Sequence, residues 1–442
     1  MSNRLRGLLA PPAAAAALAA VLAAAPAAAQ TAVHAFVGAR VIPIAGPEIA
    51  DGVLVIEGEK IAAVGARGEV AVPPGAQVHD VAGKVILPGL VDTHTHVGEV
   101  EGGDDSAPLH PEARALDAVD VRHPGLQRAQ AGGITTVNVM PGSGHLMSGQ
   151  TIYLKLRDGD TIDELSIPGA DGRPMGGMKM ANGTNSRRDP PVPGTRAKSA
   201  ALVRQRFVAA QDYLDKRERL AGDPAKRPAR DLGNEALGEV LSGERMVHHH
   251  THRHDDVMTV LRLADEFGFR VVLHHVSDAA KVAEEIAAAG VPVSAILVDS
   301  PGGKLEARDL LLENAAALER AGVLTALHSD DWITDSRLFL RMAALAVRAG
   351  MSREGALEAV TINGAQMLDL ADRVGSLEPG KDADFAILSG DPLSVYTEVL
   401  ETWVEGERVF DREDPRDRLW AEGGWGAGEP RAHVACFEEV AP

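Results

Sequence analysis

The sequence predicts an α/β fold in which a (β/α)8 barrel of the TIM type is inserted in a small β-sandwich formed by both termini. Apolar strands alternate with helical stretches over residues 89–371, close to the ~250 residues of such a barrel. Segments rich in β-branched residues and turns flank this part, at 30–88 and 372–415. A doubly wound sheet is the alternative, but no G-x-G-x-x-G motif follows any predicted strand.

The composition narrows the class of partner. The 442 residues carry a formal net charge of -19, and aromatic residues make up 3%. Such an acidic, aromatic-poor chain disfavours binding to nucleic acid and to anionic membranes. We therefore expect a small molecule or short peptide as substrate, and a homo-oligomer remains open. The single cysteine, Cys436, excludes an internal disulfide.

The first 29 residues have the pattern of a signal peptide. Arg4 and Arg6 precede an alanine-rich apolar run, and Ala27-Ala28-Ala29 offers small residues for cleavage. A membrane anchor is the alternative, but Pro11, Pro12 and Pro26 interrupt the run. The pattern predicts an exported protein, either periplasmic or secreted.

The flanking segments predict the sandwich. Four short strands with intervening turns are expected between residues 32 and 85, and residues 383–388 form another. Residues 399–410 read as a hairpin with a turn at Glu405-Gly406. Residues 416–442 are expected to be an irregular tail.

The middle segment predicts the barrel. Two short apolar runs, 85–87 and 90–91, lead into it. Its further strands are expected at 134–140, 245–250, 269–275, 291–297 and 323–328, with helices at 255–267, 279–289, 306–321 and 352–362. A charged excursion at 189–231 contains a helix near 200–220.

Possible metal ligands occur where these strands end. Barrel enzymes carry their active sites at the carboxyl ends of the strands, so residues there should meet. Imidazole and carboxylate groups are suitable ligands for zinc and similar ions. The candidates are His94, His96, Lys179, His250 or His252, His275 and Asp330.

The side-chain period of a strand sorts the clustered histidines. His94 and His96 are two residues apart and should face the same way. His248, His250 and His252 should likewise share a face, with His250 at the expected height for a ligand. Only one of the adjacent His274 and His275 should point inward, which the pattern leaves open.

Two of the candidate residues, Asp330 and Lys179, suggest specific roles in the reaction or in metal binding. Asp330 could accept a proton from metal-bound water and carry it to a leaving nitrogen; Asp331 is the second choice, with a helix N-cap as its other interpretation. A lysine ammonium cannot bind a metal, but a Lys179 carbamylated by CO2 could bridge two cations. A substrate-anchoring or surface lysine is the alternative.

Two motifs resemble those of the amidohydrolase superfamily of metal-dependent hydrolases. They are Leu87-Pro88-Gly89-Leu90-Val91-Asp92-Thr93-His94-Thr95-His96 and Gly375-Ser376-Leu377-Glu378-Pro379-Gly380-Lys381-Asp382-Ala383-Asp384. Stretches such as Gly177-Met178-Lys179-Met180-Ala181 and His250-Thr251-His252-Arg253 resemble the imidazolonepropionase-related branch.

The resemblance implies a metal-dependent amidohydrolase that hydrolyses C–N bonds, with dipeptides or N-acyl amino acids as the favoured substrates. It implies two divalent metal ions, with zinc favoured, and a Lys179 that is the bridging residue. The implied metal ligands are His94, His96, His250, His275 and Asp330, and the implied catalytic residues are Asp330 and His275.

Some interpretations stay open. Similar sequences often carry Gly-Glu-Asn after the lysine, where this chain has Gly183-Thr184-Asn185, so one metal rather than two is conceivable. The same centre could hydrolyse a cyclic amide or a lactone, or belong to a catalytically silent periplasmic binding protein. Arg187, Arg188 and Arg196 could pair with a substrate carboxylate, although a solvated basic loop explains them as well.

Overall fold

A computed structural model of the chain describes residues 32–98, 103–187, 192–297, 304–331 and 333–423. The predicted signal peptide and the residues after 423 lie outside this range. None of the helices in the described ranges is both long enough and apolar enough to cross a membrane.

The strands, in chain order, are β1 (Val33–Val41), β2 (Ile49–Glu57), β3 (Lys60–Ala66), β4 (Gln77–Asp80), β5 (Val85–Pro88), β6 (Leu90–Thr95), β7 (Ile134–Val139), β8 (Met147–Gln150), β9 (Ile152–Lys155), β10 (Met178–Ala181), β11 (Val247–Thr251), β12 (Val271–His275), β13 (Val293–Ala295), β14 (Thr325–Leu327), β15 (Phe385–Leu388), β16 (Val399–Val404) and β17 (Glu407–Asp411). The helices are α1 (Pro124–Ala131), α2 (Ile162–Leu165), α3 (Arg196–Arg219), α4 (Leu232–Leu241), α5 (His254–Phe267), α6 (Ala279–Ala289), α7 (Glu313–Arg320), α8 (Phe339–Arg348), α9 (Arg353–Ala359), α10 (Ile362–Met367) and α11 (Pro415–Glu422).

Strands from both sides of the barrel form one eight-stranded sheet. Its order is β17-β16-β15-β5-β1-β2-β3, with β4 paired to β1. The first half of β1 pairs with β4 and its second half with β5. Phe36 on β1 packs edge-on against Trp403 on the distant β16, with ring centroids 5.1 Å apart. The sheet therefore closes around its own apolar core, as expected of a sandwich built from both ends of the chain.

The barrel that this sheet flanks is of the predicted TIM type. Parallel pairs join β6 to β7, β10 to β11, β11 to β12, β12 to β13 and β13 to β14. The amide of Asp330 donates to the carbonyl of His94 at 2.9 Å, and the amide of His96 donates to the carbonyl of Asp331 at 3.0 Å. These two bonds close the ring between β14 and β6 at the carboxyl ends of the strands.

One barrel position departs from eight parallel strands. β8 is antiparallel to β10, and β9 is antiparallel to β7. Only residues 140–146 separate β7 from β8, whereas a parallel return needs a crossover of about a dozen residues. The chain therefore comes back antiparallel at this position.

The predicted irregular tail at 416–442 is wrong for its first residues, because Pro415–Glu422 form helix α11. The Asp414 side chain accepts a hydrogen bond from the amide of Arg416, and proline occupies the first helical turn. Both are standard helix-start signals. The polar sequence, with no buried residue, hid this helix because it lacks an apolar stripe.

A buried ion network joins the barrel to the sheet. The ammonium of Lys155 on β9 lies 2.9 Å from Asp382 and 2.6 Å from Asp384, and all three side chains are almost fully buried. Burial raises the pKa of Asp384, and the charge of Lys155 opposes that rise. The ammonium therefore lies between two buried carboxylates, of which Asp382 also contacts Lys60 and Arg373.

Replacing Lys155 with Met is expected to destabilise the protein by about 3–5 kcal/mol at neutral pH, since it leaves the buried carboxylate of Asp384 without its cation. The raised pKa of Asp384 means that the folded variant takes up a proton, so the loss should shrink as the pH falls. Denaturant unfolding followed by circular dichroism at two pH values measures both effects.

Lys60→Met is the matched control for this variant. Lys60 also contacts Asp382, at 2.5 Å, but its side chain is 50% exposed, so its loss should cost no more than about 1 kcal/mol. Equal losses in the two variants would contradict the assigned role of Lys155.

Candidate metal centre

Three of the predicted ligands converge at the carboxyl end of the barrel. Asp330 Oδ1 lies 3.3 Å from His94 Nε2 and 3.0 Å from His96 Nε2. Ligands at 2.0–2.1 Å in a tetrahedral zinc site lie about 3.3–3.4 Å from one another. The spacing of these atoms therefore suits a common cation.

His275 and Lys179 complete this first group. His275 Nδ1 is 3.9 Å from Asp330 Oδ2, and its ring centroid is 4.8 Å from that of His94. The Lys179 ammonium lies 3.0 Å from His94 Nε2 and 3.0 Å from Met140 Sδ, and it is fully buried. Its burial excludes the alternative of a surface lysine.

A second group of possible ligands lies beside the first. His250 packs against His275 with ring centroids 4.4 Å apart, and against His252 at 4.6 Å. The ligand atoms of His250, His252 and Glu306 all lie within 4.8 Å of one another, and all three residues are buried. This set could hold a cation of its own, so the choice between His250 and His252 stays open.

Most of the candidate imidazoles have one nitrogen fixed by a neighbour. His96 Nδ1 donates to the carbonyl of Met140 at 2.7 Å, His252 Nδ1 contacts Ser277 Oγ at 2.7 Å, and His275 Nδ1 contacts His328 Nε2 at 3.1 Å. Partners of this kind orient metal-ligating histidines.

Some of the other ring nitrogens have no partner in the part of the chain that the structure describes. Within the described residues, His252 Nε2, His275 Nε2 and both ring nitrogens of His250 are buried and have no hydrogen-bond partner. Buried polar atoms are normally bonded, and unprotonated imidazole nitrogens are metal ligands. The residues present therefore fit a divalent metal.

Burial controls the charges of this centre. It lowers the pKa of Lys179 to about 7 and holds that of His94 well below its usual value, with the nearby Lys179 charge adding to the effect. Burial alone would raise the pKa of Asp330, but the His96 hydrogen bond and neighbouring positive charges lower it overall. The imidazole of His94 is therefore neutral and the Asp330 carboxylate ionised, as metal ligands must be.

Two ligand positions have unusual backbone geometry. His275 has φ 71°, Asp330 has φ 51°, and neither is a glycine. Such left-handed residues cluster at functional sites. The turn at His275 also breaks strand alternation, so that His274 and His275 both contact the His94 ring. The expectation that only one of them points inward was wrong for this reason.

Sequence reasoning missed one acidic group. Glu306 follows β13, and its carboxylate accepts hydrogen bonds from the amide of Thr184 at 2.8 and 3.0 Å. It thus brings a carboxylate to the Gly183-Thr184-Asn185 segment, where the sequence has none. The residue lies in a short 3₁₀ turn, Leu305–Ala307, rather than in the predicted helix 306–321, and no local pattern distinguishes it.

The proposed substrate-binding arginines have different surroundings. The Arg196 guanidinium binds Asp256 at 2.7 Å and Glu306 at 3.0 Å, which favours a structural role. Arg187 Nε donates to the carbonyl of Gly183, and Arg188 lies outside the described residues.

A solved amidohydrolase from Thermotoga maritima MSB8 has this architecture. It is 33% identical in sequence, with a TM-score of 0.80, and the match covers 86% of this chain and 100% of that one. The chain belongs to the amidohydrolase family. The sequence model described as the amidohydrolase family also matches residues 249–410, from the histidine cluster to the end of the sheet.

Two curated amidohydrolase relatives show the branch. Imidazolonepropionase of Pseudomonas putida is 28% identical over 76% of this chain and 87% of its own length. Amidohydrolase tasK of Hapsidospora irregularis is 28% identical over 77% of this chain, but the match spans only 38% of tasK. This protein is a hydrolase of C–N bonds in the imidazolonepropionase-related branch, as the sequence motifs predict.

Proposed function

We propose that this amidohydrolase is an exported enzyme that hydrolyses the amide bond of dipeptides or N-acyl amino acids and uses two divalent cations, with zinc as the favoured ion. The observation that carries the proposal is the convergence of His94, His96 and Asp330, whose distances suit a shared cation, with His275 beside them. Export rests on the signal pattern of residues 1–29, and cell fractionation tests it.

The ligands divide into two sets around Lys179. His94, His96 and Asp330 would hold one cation, and His250 and His275 the second, with a carbamylated Lys179 between them. The pKa of Lys179, near 7, supports this role, because an uncharged amine can attack the carbon of CO2 and then release a proton. Glu306 with His252 offers an alternative carboxylate for the second cation. The bound cations would polarise the substrate carbonyl and lower the pKa of a water molecule.

Asp330 is suited to move the proton. Its carboxylate lies between His96 on one side and His275 on the other, and its lowered pKa keeps it ionised. It would take a proton from the attacking water and deliver it to the leaving nitrogen, as the mechanism requires. His275 Nδ1 lies 3.9 Å from this carboxylate.

The ammonium group of Lys304 supports the proposal that the substrate carries a carboxylate. Lys304 is partly buried, and its charge helps to lower the pKa values of His250 and His252. Among the described residues its ammonium forms no salt bridge or hydrogen bond, although its backbone carbonyl accepts one from the amide of Ala307. Dipeptides and N-acyl amino acids carry a carboxylate that could pair with this ammonium.

A substrate panel tests the proposal. We expect dipeptides and N-acyl amino acids to be hydrolysed at least about tenfold faster than the same compounds with the carboxylate capped as an amide, because Lys304 would lose its partner. Initial rates at subsaturating concentration measure kcat/KM. Lys304→Met should remove the preference and leave the capped compounds unaffected.

Other outcomes of the panel favour the alternatives. Faster turnover of cyclic amides or lactones would contradict the proposed substrate class but keep the same centre. Tight binding of panel members without turnover would favour a catalytically silent binding protein. A carboxylate preference that survives in Lys304→Met would contradict the role of this lysine.

A further inference from the structure

A column of four buried rings runs through the barrel to the candidate metal centre. Tyr153 Oη lies 2.9 Å from His248 Nε2, and His248 Nδ1 lies 2.9 Å from His274 Nε2. His274 Nδ1 is in turn 3.2 Å from His94 Nδ1. At its far end Tyr153 borders a cavity of about 320 Å³ beside the amino ends of β10 and β11.

The barrel wall leaves room for this column. A Cβ atom on Gly177 would lie 2.2 Å from His248 Cδ2, so a larger residue there would displace the ring. His248 and His274 have no exposed surface. The column is therefore part of the packed barrel interior, and it ends on a predicted ligand.

The chemistry of neutral imidazole gives the column a direction. His248 and His274 are fully buried between their hydrogen-bond partners, and a neutral imidazole has one N–H donor and one acceptor. If His94 binds a cation through Nε2, its Nδ1 carries the proton and donates to His274 Nδ1. His274 Nε2 then donates to His248, and His248 Nε2 donates to the Tyr153 oxygen.

We propose that His274, His248 and Tyr153 are positioning residues that hold His94 with Nδ1 protonated and Nε2 directed at the cation. The inference rests on the proposed function only in requiring that a cation binds at His94. Tyr153 suits the end of the column because its oxygen accepts a hydrogen bond while its own proton can rotate toward the cavity. Outer partners of metal-binding histidines commonly set the tautomer in this way.

Variants at His274 test the proposal through metal affinity. An Asn amide oxygen lies near the position of Nδ1 and can accept from His94, whereas a Gln amide reaches the position of Nε2 and serves only His248. We therefore expect the Kd for Co²⁺ to rise about 10–100-fold in His274→Gln and His274→Leu, and to stay within about threefold in His274→Asn. Competition with a chromogenic chelator measures the Kd of each full-length protein.

Tyrosine variants extend the test to the far end of the column. Tyr153→Phe removes the final acceptor and should weaken Co²⁺ binding by a smaller factor. Tyr213→Phe is the matched control, because its hydroxyl bonds to Glu235 and Arg217 instead, and it should leave the Kd unchanged. If the His274 variants do not fold, the comparison of Tyr153→Phe with Tyr213→Phe still tests whether the column affects Co²⁺ affinity.

The outcomes separate the two proposals. Equal Kd values for His274→Asn and His274→Gln, or for Tyr153→Phe and the wild type, would overturn the column. A wild-type protein that does not bind Co²⁺ would instead contradict the proposed metal-dependent function.

Discussion

Replacing Asp330 with Asn is expected to abolish turnover while the protein stays folded. The amide has almost the same shape as the carboxylate but cannot take up and deliver a proton at neutral pH, a loss that costs about 10²–10⁴-fold in rate. The bond that closes the barrel at this point uses the Asp330 backbone amide, which the substitution keeps. The side-chain contacts of Asp330 are to His94, His96 and His275, all in the candidate centre.

The measurement is kcat/KM together with far-ultraviolet circular dichroism and a thermal midpoint. Asp331→Asn is the matched control, because Asp331 was the second choice for the proton carrier. Its carboxylate accepts hydrogen bonds from the amide and hydroxyl of Ser336 and so holds the chain before α8. It should retain activity within about tenfold. Unchanged turnover in Asp330→Asn, or a loss confined to Asp331→Asn, would contradict the assignment.

The sequence predicts those residues of the candidate centre whose positions are determined by strand geometry. His94 lies on β6 and His96 directly follows the end of that strand, so the period of a strand places the two side chains on the same side. His250, His275 and Asp330 occur where other strands end, and parallel barrel strands end at one face. The sequence therefore predicts which residues meet without predicting their distances.

The remaining parts of the centre depend on tertiary structure. A positive φ angle at His275 and Asp330 redirects their side chains, and the residue types at these positions do not predict that angle. Glu306 reaches the centre from a 3₁₀ turn. Its carboxylate accepts a hydrogen bond from the amide of Thr184, which is far away in sequence. The role of His274 depends on a contact with His94 across the barrel.

In the fold, too, the features with a local sequence signal were predicted and those that depend on tertiary contacts were not. The hairpin of β16 and β17 is confirmed, with Glu405 and Gly406 both at positive φ in the turn, because turn residues carry a local signal. Neither β8 nor β9 was predicted, since each has only four residues and their antiparallel course depends on their partners. Periodicity identifies longer strands but leaves their direction undetermined.

Replacing His94 with Ala is expected to remove nearly all bound metal from the purified protein. His94 Nε2 lies 3.3 Å from Asp330 and 3.0 Å from Lys179, so it is the ligand that contacts both the carboxylate and the bridging candidate. The substitution also leaves His274 Nδ1 without its partner. Elemental analysis should give close to two equivalents of divalent metal for the wild type and close to none for the variant.

Two further variants make this result specific. His34→Ala should keep the wild-type metal content, because His34 pairs with His79 in the sheet and has no contact with the centre. His250→Ala should lose one equivalent if His250 belongs to the second cation, and none if the protein binds a single ion at His94, His96 and Asp330. Equal, near-zero metal in the wild type and in His94→Ala would contradict the metal centre altogether. Another explanation would then be needed for the buried nitrogens of His250, His252 and His275 that have no hydrogen-bond partner among the described residues.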